Sequence, residues 1–203
     1  MWVALLPAAA IGYLLGSIPV GYLVGKAWGV DVREHGSGRT GGTNVWRATK
    51  QILPSLLTGL GDILKGVAAV YFGRFVLGSE LAAALAGAAA VYGHNWSVFL
   101  GWRGGAGGVT TSAALIALSP LAGGIVVPIG IIVLIFSRLA SLGTLTIATG
   151  ALVALVALAW QVPSVLSWQD VIFGVLVAFA VVWALRPNLK RLASGSERRI
   201  TLW

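Results

Sequence analysis

Residues 104–137 read GGAGGVTTSAALIALSPLAGGIVVPIGIIVLIFS, 34 positions without one charged side chain. One membrane-crossing helix needs about 20 apolar residues. The run is too long for a single crossing and slightly short for two. Its start is Gly-rich, and Ser119–Pro120 sits in its middle. Proline lacks an N–H and suits the first turn of a new helix. The run therefore reads as two short crossings, about 106–119 and 120–137, the first tilted or partly re-entrant.

Other uncharged runs flank it. Residues 1–25 carry no Asp, Glu, Lys or Arg, and 2–25 reads as a span. A signal peptide would need a basic start, which Met1–Trp2–Val3 does not supply. Residues 51–76 form a second span, interrupted by Asp62 and Lys65, and 80–100 a third. Residues 139–169 and about 168–186 give the last two, before a polar, basic stretch over 187–203. The composition agrees. Charged residues are 10% of the chain and hydrophobic ones 58%, against about 25% charged in a soluble domain. That excludes a soluble enzyme, a disordered tail and a nucleic-acid-binding domain with basicity spread over its surface. Cysteine is absent and histidine occurs twice, so no metal site and no Cys-held cofactor is expected.

Basic residues orient the chain. Seven spans with the N-terminus outside put Lys26, Arg33, Arg39, Arg47, Lys50, Arg103, Arg138, Arg186, Lys190, Arg191, Arg198 and Arg199 inside. Only Lys65 and Arg74 of the 14 basic residues fall elsewhere, as the positive-inside rule asks. Six spans from the same start would leave the C-terminal cluster outside. The expectation is one all-α integral membrane domain over 1–203, with about seven transmembrane helices, N-out and C-in. Ala/Gly-rich stretches such as 81–90 suit close helix packing in lipid.

The polar residues gather near the predicted inner face. Residues 36–47 combine Gly36, Gly38, Gly41 and Gly42 with Ser37, Thr40, Thr43, Asn44, Arg39 and Arg47. Glycines allow close backbone approach, and arginine forks match phosphate. This reads as a phosphate cradle in preference to a flexible loop. A second stretch, Gly93-His94 through Arg103-Gly104-Gly105-Ala106-Gly107-Gly108, precedes an apolar helix. It reads equally as an anion-binding helix N-terminus or as a turn whose glycines relieve crowding. It is not a P-loop, having no Gly-Lys-Ser/Thr. Asp62 and Lys65 share a helix face three positions apart, as a functional site or a self-neutralising pair. His94 is most simply a hydrogen-bonded helix-end residue and His35 a loop residue. Asn188, Lys190, Arg191 and Glu197 follow the last span, where the plain reading is an anchor for anionic lipid.

Together these motifs resemble the bacterial membrane acyltransferases that move a fatty acyl chain from acyl phosphate to glycerol 3-phosphate. The matching pieces are Gly16-Ser17-Ile18-Pro19, Gly36-Ser37-Gly38 through Thr43-Asn44-Val45-Trp46-Arg47, and Asp62-Ile63-Leu64-Lys65-Gly66. To these add Gly93-His94, Gly104-Gly105, Ser141-Leu142, Asn188-Leu189-Lys190-Arg191 and Gly195-Ser196-Glu197. They occur in the family's order along nearly the whole chain. The resemblance implies a cytoplasmic-face active site that holds both phosphates, with Ser37 and Arg47 in it. Its Gly-rich opposite wall would be Arg103 with the backbone from Gly104, Gly105 and on to Gly108. Ser141, Asn188, Lys190 and Glu197 would be further members. The chain departs from the family pattern at Arg39 (usually Asn), Ala106 (usually Lys), Leu185 (usually His) and Ser97 (usually Pro). Arg39 is expected to restore a positive charge.

The implied reaction uses no nucleophilic side chain and no cofactor, because acyl phosphate is already activated. Proton removal falls to a substrate phosphate oxygen, or to His94. Expected partners are the two substrates, membrane lipid and the enzyme that makes acyl phosphate. A transporter of a phosphorylated anion and an impaired, lipid-phosphate-binding relative are the alternatives.

Overall fold

The computed structural model describes residues 2–164 and 167–201. Among these there is no strand, only one isolated bridge between Ser97 and Arg103. The expected single helix over 2–25 is two, α1 (Leu5–Ser17) and α2 (Val20–Ala27). They part at Ile18–Pro19, where proline cannot continue the hydrogen-bond ladder. The Ile18 carbonyl at this break accepts a hydrogen bond from Lys65 Nζ at 3.2 Å.

A short helix, α3 (Gly42–Thr49), begins inside the first Gly-rich loop. Next come α4 (Ile52–Tyr71), which ends in a π turn over Phe72–Val76, and α5 (Glu80–Asn95). The long uncharged run forms α6 (Gly108–Leu118) and α7 (Pro120–Ser137). Ser119 divides them as expected: its hydroxyl caps α7 by accepting from the Ala122 N–H at 3.3 Å, with Pro120 in the first turn. The chain continues through α8 (Ala140–Gln161), α9 (Trp168–Ala184) and α10 (Arg186–Ala193). The part of the expected 139–169 span at 165–166 lies outside the described residues. Helix α10 turns 63° away from α9.

Four segments are long and apolar enough to cross a bilayer, namely α1–α2, α4 with its π turn, α7 and α8, and α9 with its bent partner makes a fifth. Leu56, Leu60 and Leu64 on α4 are 62%, 52% and 59% exposed. Such an outward apolar stripe suits lipid rather than water. Helices α1 and α5 run parallel along a seam of small residues. A Cβ on Gly12 or Gly16 would collide with the backbone of Ala86 or Ala90, so the two backbones touch as they do in membrane interfaces. The remaining core packs Leu115 of α6, Leu155 of α8 and Phe173 of α9, all fully buried, around α5.

Helix α6, 11 residues long, lies alongside α5. Gly107, before its first residue, lies against Asn95 at the end of α5. At its other end, Arg74 donates to the carbonyls of Ala117 at 2.7 Å and Leu118 at 3.0 Å. Arg74 also pairs at 2.7 Å with Glu80, the first residue of α5. The two helices are thus antiparallel neighbours. One end of the bundle collects both Gly-rich loops, the start of α8 and all of α10.

Candidate active site

Four walls meet at that end around a cavity of about 300 Å³. The first is the loop that leads into α3. Buried Asn44 shapes it: its Oδ1 accepts from the Ser37 N–H at 2.9 Å, and its Nδ2 donates to the carbonyls of Val32 and Arg39, both at 2.8 Å. Gly36 has φ +54°, and a Cβ there would lie 2.3 Å from Asn44 Oδ1. Ser37, Arg39, Gly41, Gly42, Thr43 and Arg47 then line the cavity. The second wall is Gly107, Gly108 and Val109 at the start of α6. Gly107 has φ +80°, and Gly108 lies so close to the Thr144 hydroxyl that a Cβ would be 2.6 Å from it. Two helix N-termini, those of α3 and α6, therefore present amides and positive dipole ends to one space, which favours anions.

The third wall joins Ser141 and Thr144 of α8, Asn188 and Arg191 of α10, and the tail residues Glu197 and Arg198. Glu197 ties it together. Its carboxylate accepts from Ser141 Oγ at 3.0 Å, Asn188 Nδ2 at 2.7 Å and Arg191 Nε at 2.8 Å. Burial opposes the charge on Glu197, but the Asn188, Arg191 and Ser141 hydrogen bonds outweigh it and hold the carboxyl below the usual carboxylate range. The fourth wall is Ser55, Gly59 and Asp62 of α4 with His94. Asp62 binds Lys65 Nζ at 2.8 Å and sits 3.3 Å from His94 Nδ1, with the Asp62 and Lys65 side chains 3% and 5% exposed. A buried carboxylate needs such partners, and Lys65 is turned to the α1–α2 break rather than to the cavity.

Arg39 crosses between walls. It donates to the Ala184 carbonyl at 2.6 Å, Asn188 Oδ1 at 3.1 Å and the Gly105 carbonyl at 3.4 Å. Burial, with Arg191 nearby, pulls its pKa below the ordinary arginine value; arginine keeps its proton in proteins regardless. None of its hydrogen-bond partners carries a charge. Ala106 and Leu185 also line the cavity, so this guanidinium grips the carbonyls that immediately precede two of the four departures from the family pattern. Arg47 is half-buried, which with Arg198 nearby lowers its pKa, and it donates to the Arg199 carbonyl at 3.3 Å.

Several expected residues sit elsewhere. Arg103 is exposed, held in the bridge with Ser97 and outside the cavity. Lys190 is exposed, while Arg191 lines the cavity. The reason is register: Asn188 and Arg191 are three apart on one face of α10. Gly104 and Gly105 pack on His94, where a Cβ would fall 2.1 Å from its carbonyl oxygen and 1.9 Å from its Nε2 respectively. The crowding reading holds for those two glycines, while Gly107 and Gly108 face the cavity. Gly36 and Gly38 (φ +69°) shape the loop without lining the cavity. Ser55, Thr144 and Arg198 had no motif to mark them.

A second, apolar cavity of about 440 Å³ opens from the first, and Thr43, Gly108, Val109, Ala140 and Thr144 belong to both. It follows one face of α6, through Ser112, Ala113 and Ile116, between α4 and α7. Ile63, Ile116 and Ile131 along it are 43%, 45% and 46% exposed.

An all-α multi-pass membrane protein with a cation-lined pocket joined to an apolar groove is the class this architecture defines. A family profile described as glycerol-3-phosphate acyltransferase matches residues 6–195, and the chain belongs to that family. It is 41% identical over 201 residues to glycerol-3-phosphate acyltransferase 2 of Moorella thermoacetica, covering 98% of each chain. It is 40% identical over 194 residues to glycerol-3-phosphate acyltransferase of Thermus thermophilus, covering 94% of this chain and 92% of that one. Crystal structures of PlsY, an integral membrane glycerol 3-phosphate acyltransferase, superpose with a TM-score of 0.83 in its glycerol 3-phosphate form, at 28% identity, covering 97% of this chain and 95% of that one. The lysophosphatidic acid form gives 0.81 at 28% identity, covering 96% and 94%.

Proposed function

We propose that this protein transfers a fatty acyl group from acyl phosphate to the sn-1 hydroxyl of glycerol 3-phosphate, releasing lysophosphatidic acid and phosphate. The observation that carries the reading is the shared boundary between the cationic cavity and the apolar groove. A substrate with a fatty chain and a phosphate joined through one carboxyl group needs both environments side by side.

The acyl chain lies along α6 in the groove, where its carbonyl reaches Thr43, Gly108 and Thr144. Its phosphate meets the α6 N-terminus and Arg39. Glycerol 3-phosphate takes the side away from the groove, with Arg47, Arg191, Ser37, Ser141 and Asn188 around its phosphate. Its hydroxyl oxygen attacks the acyl carbon, the new ester bond forms, and the bond to the phosphate oxygen breaks. The leaving phosphate accepts the hydroxyl proton, with His94, whose imidazole lines the cavity, as the alternative acceptor. Catalysis is positioning of two anions that repel each other in water, plus stabilisation of the charge on the carbonyl oxygen. The site faces the cytoplasm of a seven-span, N-out protein, within reach of the enzyme that supplies acyl phosphate.

Purified protein is expected to release phosphate from acyl phosphate only when glycerol 3-phosphate is present. Arg47→Ala should abolish that release. Unchanged turnover in Arg47→Ala would remove it from the site, and no acyl transfer by the parent would reject the reaction. A transporter reading predicts uptake of glycerol 3-phosphate into proteoliposomes without ester formation.

A further inference from the structure

The tail beyond α10 belongs to none of the spans, yet it crosses the mouth of the cavity. Arg198 donates to the Gly36 carbonyl in the first Gly-rich loop. The Arg199 carbonyl accepts from Arg47 at 3.3 Å. The Ile200 N–H donates to the Arg138 carbonyl at the α7–α8 turn, at 2.7 Å, and Ile200 is 3% exposed. A buried isoleucine flanked by exposed Arg198, Arg199 and Thr201 is an anchor. Upstream, Glu197 fastens the tail to α8 and α10.

We infer that residues 197–200 form a strap that positions Arg47 for the water-soluble phosphate substrate, with Ile200 as the residue that sets its place. This rests on the reading of the cavity given above. The strap is fastened to the α7–α8 turn and to Ser141, next to Ala140, which lines both cavities, but the strap's own cavity-lining residues belong to the polar cavity alone. Glu197 and Arg198 line the polar cavity, and neither lines the apolar one. Arg47 follows the same division. The acyl substrate reaches the site along α6, where no strap residue lies. Loosening the strap should therefore weaken one substrate and spare the other. A tail that merely supports the fold would affect both alike or lower stability alone.

The test compares Ile200→Ser and Ile200→Val with the parent in detergent or nanodiscs. The KM is measured for each substrate with the other saturating. For Ile200→Ser, a rise of about tenfold in the KM for glycerol 3-phosphate is expected, the worth of roughly 1.4 kcal/mol. The KM for acyl phosphate should stay within about twofold, a difference far smaller than 1.4 kcal/mol, and Ile200→Val should return the parent values. Equal rises in both constants, or no rise in either, overturn the inference. If Ile200→Ser does not purify as a folded protein, Ile200→Ala is judged by the same two constants. A parent that transfers no acyl group would instead overturn the proposed reaction, so the two failures are separable.

Discussion

At the scale of single residues, Arg39 decides whether the departures from the family pattern impair the site or rewire it. Its guanidinium occupies the space beside Ala106 and Leu185, held by the Gly105 and Ala184 carbonyls and Asn188. Three acceptors arranged around a planar fork suit arginine and not an ammonium. Arg39→Ala is expected to lower kcat/KM by about 10²–10³, the usual cost of removing one preorganised charge donor, and Arg39→Lys should recover little of it. Ala106→Lys in the parent should bring no gain, because a second cation would crowd the first. The same change in Arg39→Ala should recover activity. The four proteins form a cycle, and a large gain from Ala106→Lys in the parent would show an unfilled cation site. Glu197 makes a separate prediction. Its carboxyl is held below its ordinary range in the folded protein, so its contribution to stability is present above about pH 4. That contribution is lost as pH falls through the lowered value. Thermal unfolding of the parent should exceed that of Glu197→Gln at neutral pH, and the gap should close on acidification. A constant gap down to pH 3, about one unit below the ordinary glutamate value, would contradict it.

At the scale of elements, Arg74 shows how a short helix is kept in a membrane. The last carbonyls of α6 lack intrahelical partners, and lipid offers none. Arg74 supplies donors to Ala117 and Leu118 while Glu80 neutralises it. Arg74→Ala should lower stability by roughly 1–2 kcal/mol, the worth of charged hydrogen bonds at a partly exposed site. The folded fraction should keep its KM for both substrates, because the site lies at the opposite end of α6. A selective loss of substrate affinity would show that α6 transmits the change. The sequence showed Arg74 only as an exception to the charge rule, since the carbonyls it caps lie more than 40 positions away. What was legible followed from short-range chemistry. Uncharged runs placed the helices, Ser119–Pro120 divided α6 from α7, and clustered glycines and arginines marked the cavity. What was not legible needed register or distance. Lys190 and Arg191 are adjacent cations, and only the turn of α10 separates an exposed one from a site one. Asn44 lines the cavity as expected of a site residue, but both its amide N–H groups go to the Val32 and Arg39 carbonyls, partners only the folded loop reveals. Of the strap only Glu197 belonged to a motif; Arg198, Arg199 and Ile200 act through backbone carbonyls and burial that no sequence pattern marks.

At the scale of the whole molecule, the fold sets which loops share an end, and the charges set which side of the bilayer that end faces. Helix α9 has 17 residues and so extends about 26 Å. Ser164 precedes it and Lys190 follows it, so they belong to opposite ends. Lys50, after α3, belongs with Lys190 at the cavity end. The excess of lysine and arginine there predicts that this end is cytoplasmic. The chain contains no cysteine, so single substitutions report position without background. Ser164→Cys should react with a membrane-impermeant thiol reagent in intact cells, while Lys50→Cys and Lys190→Cys should react only after permeabilisation. All three positions are exposed in the fold, so a lack of reaction is not explained by packing. The reversed pattern would keep the helix bundle and turn the active site outward, away from phosphorylated substrates made inside the cell. Labelling of Lys50→Cys and Lys190→Cys from opposite sides would be graver. Two walls of the cavity would then be separated by the membrane, and an acyl chain could not pass between two phosphates held in one pocket.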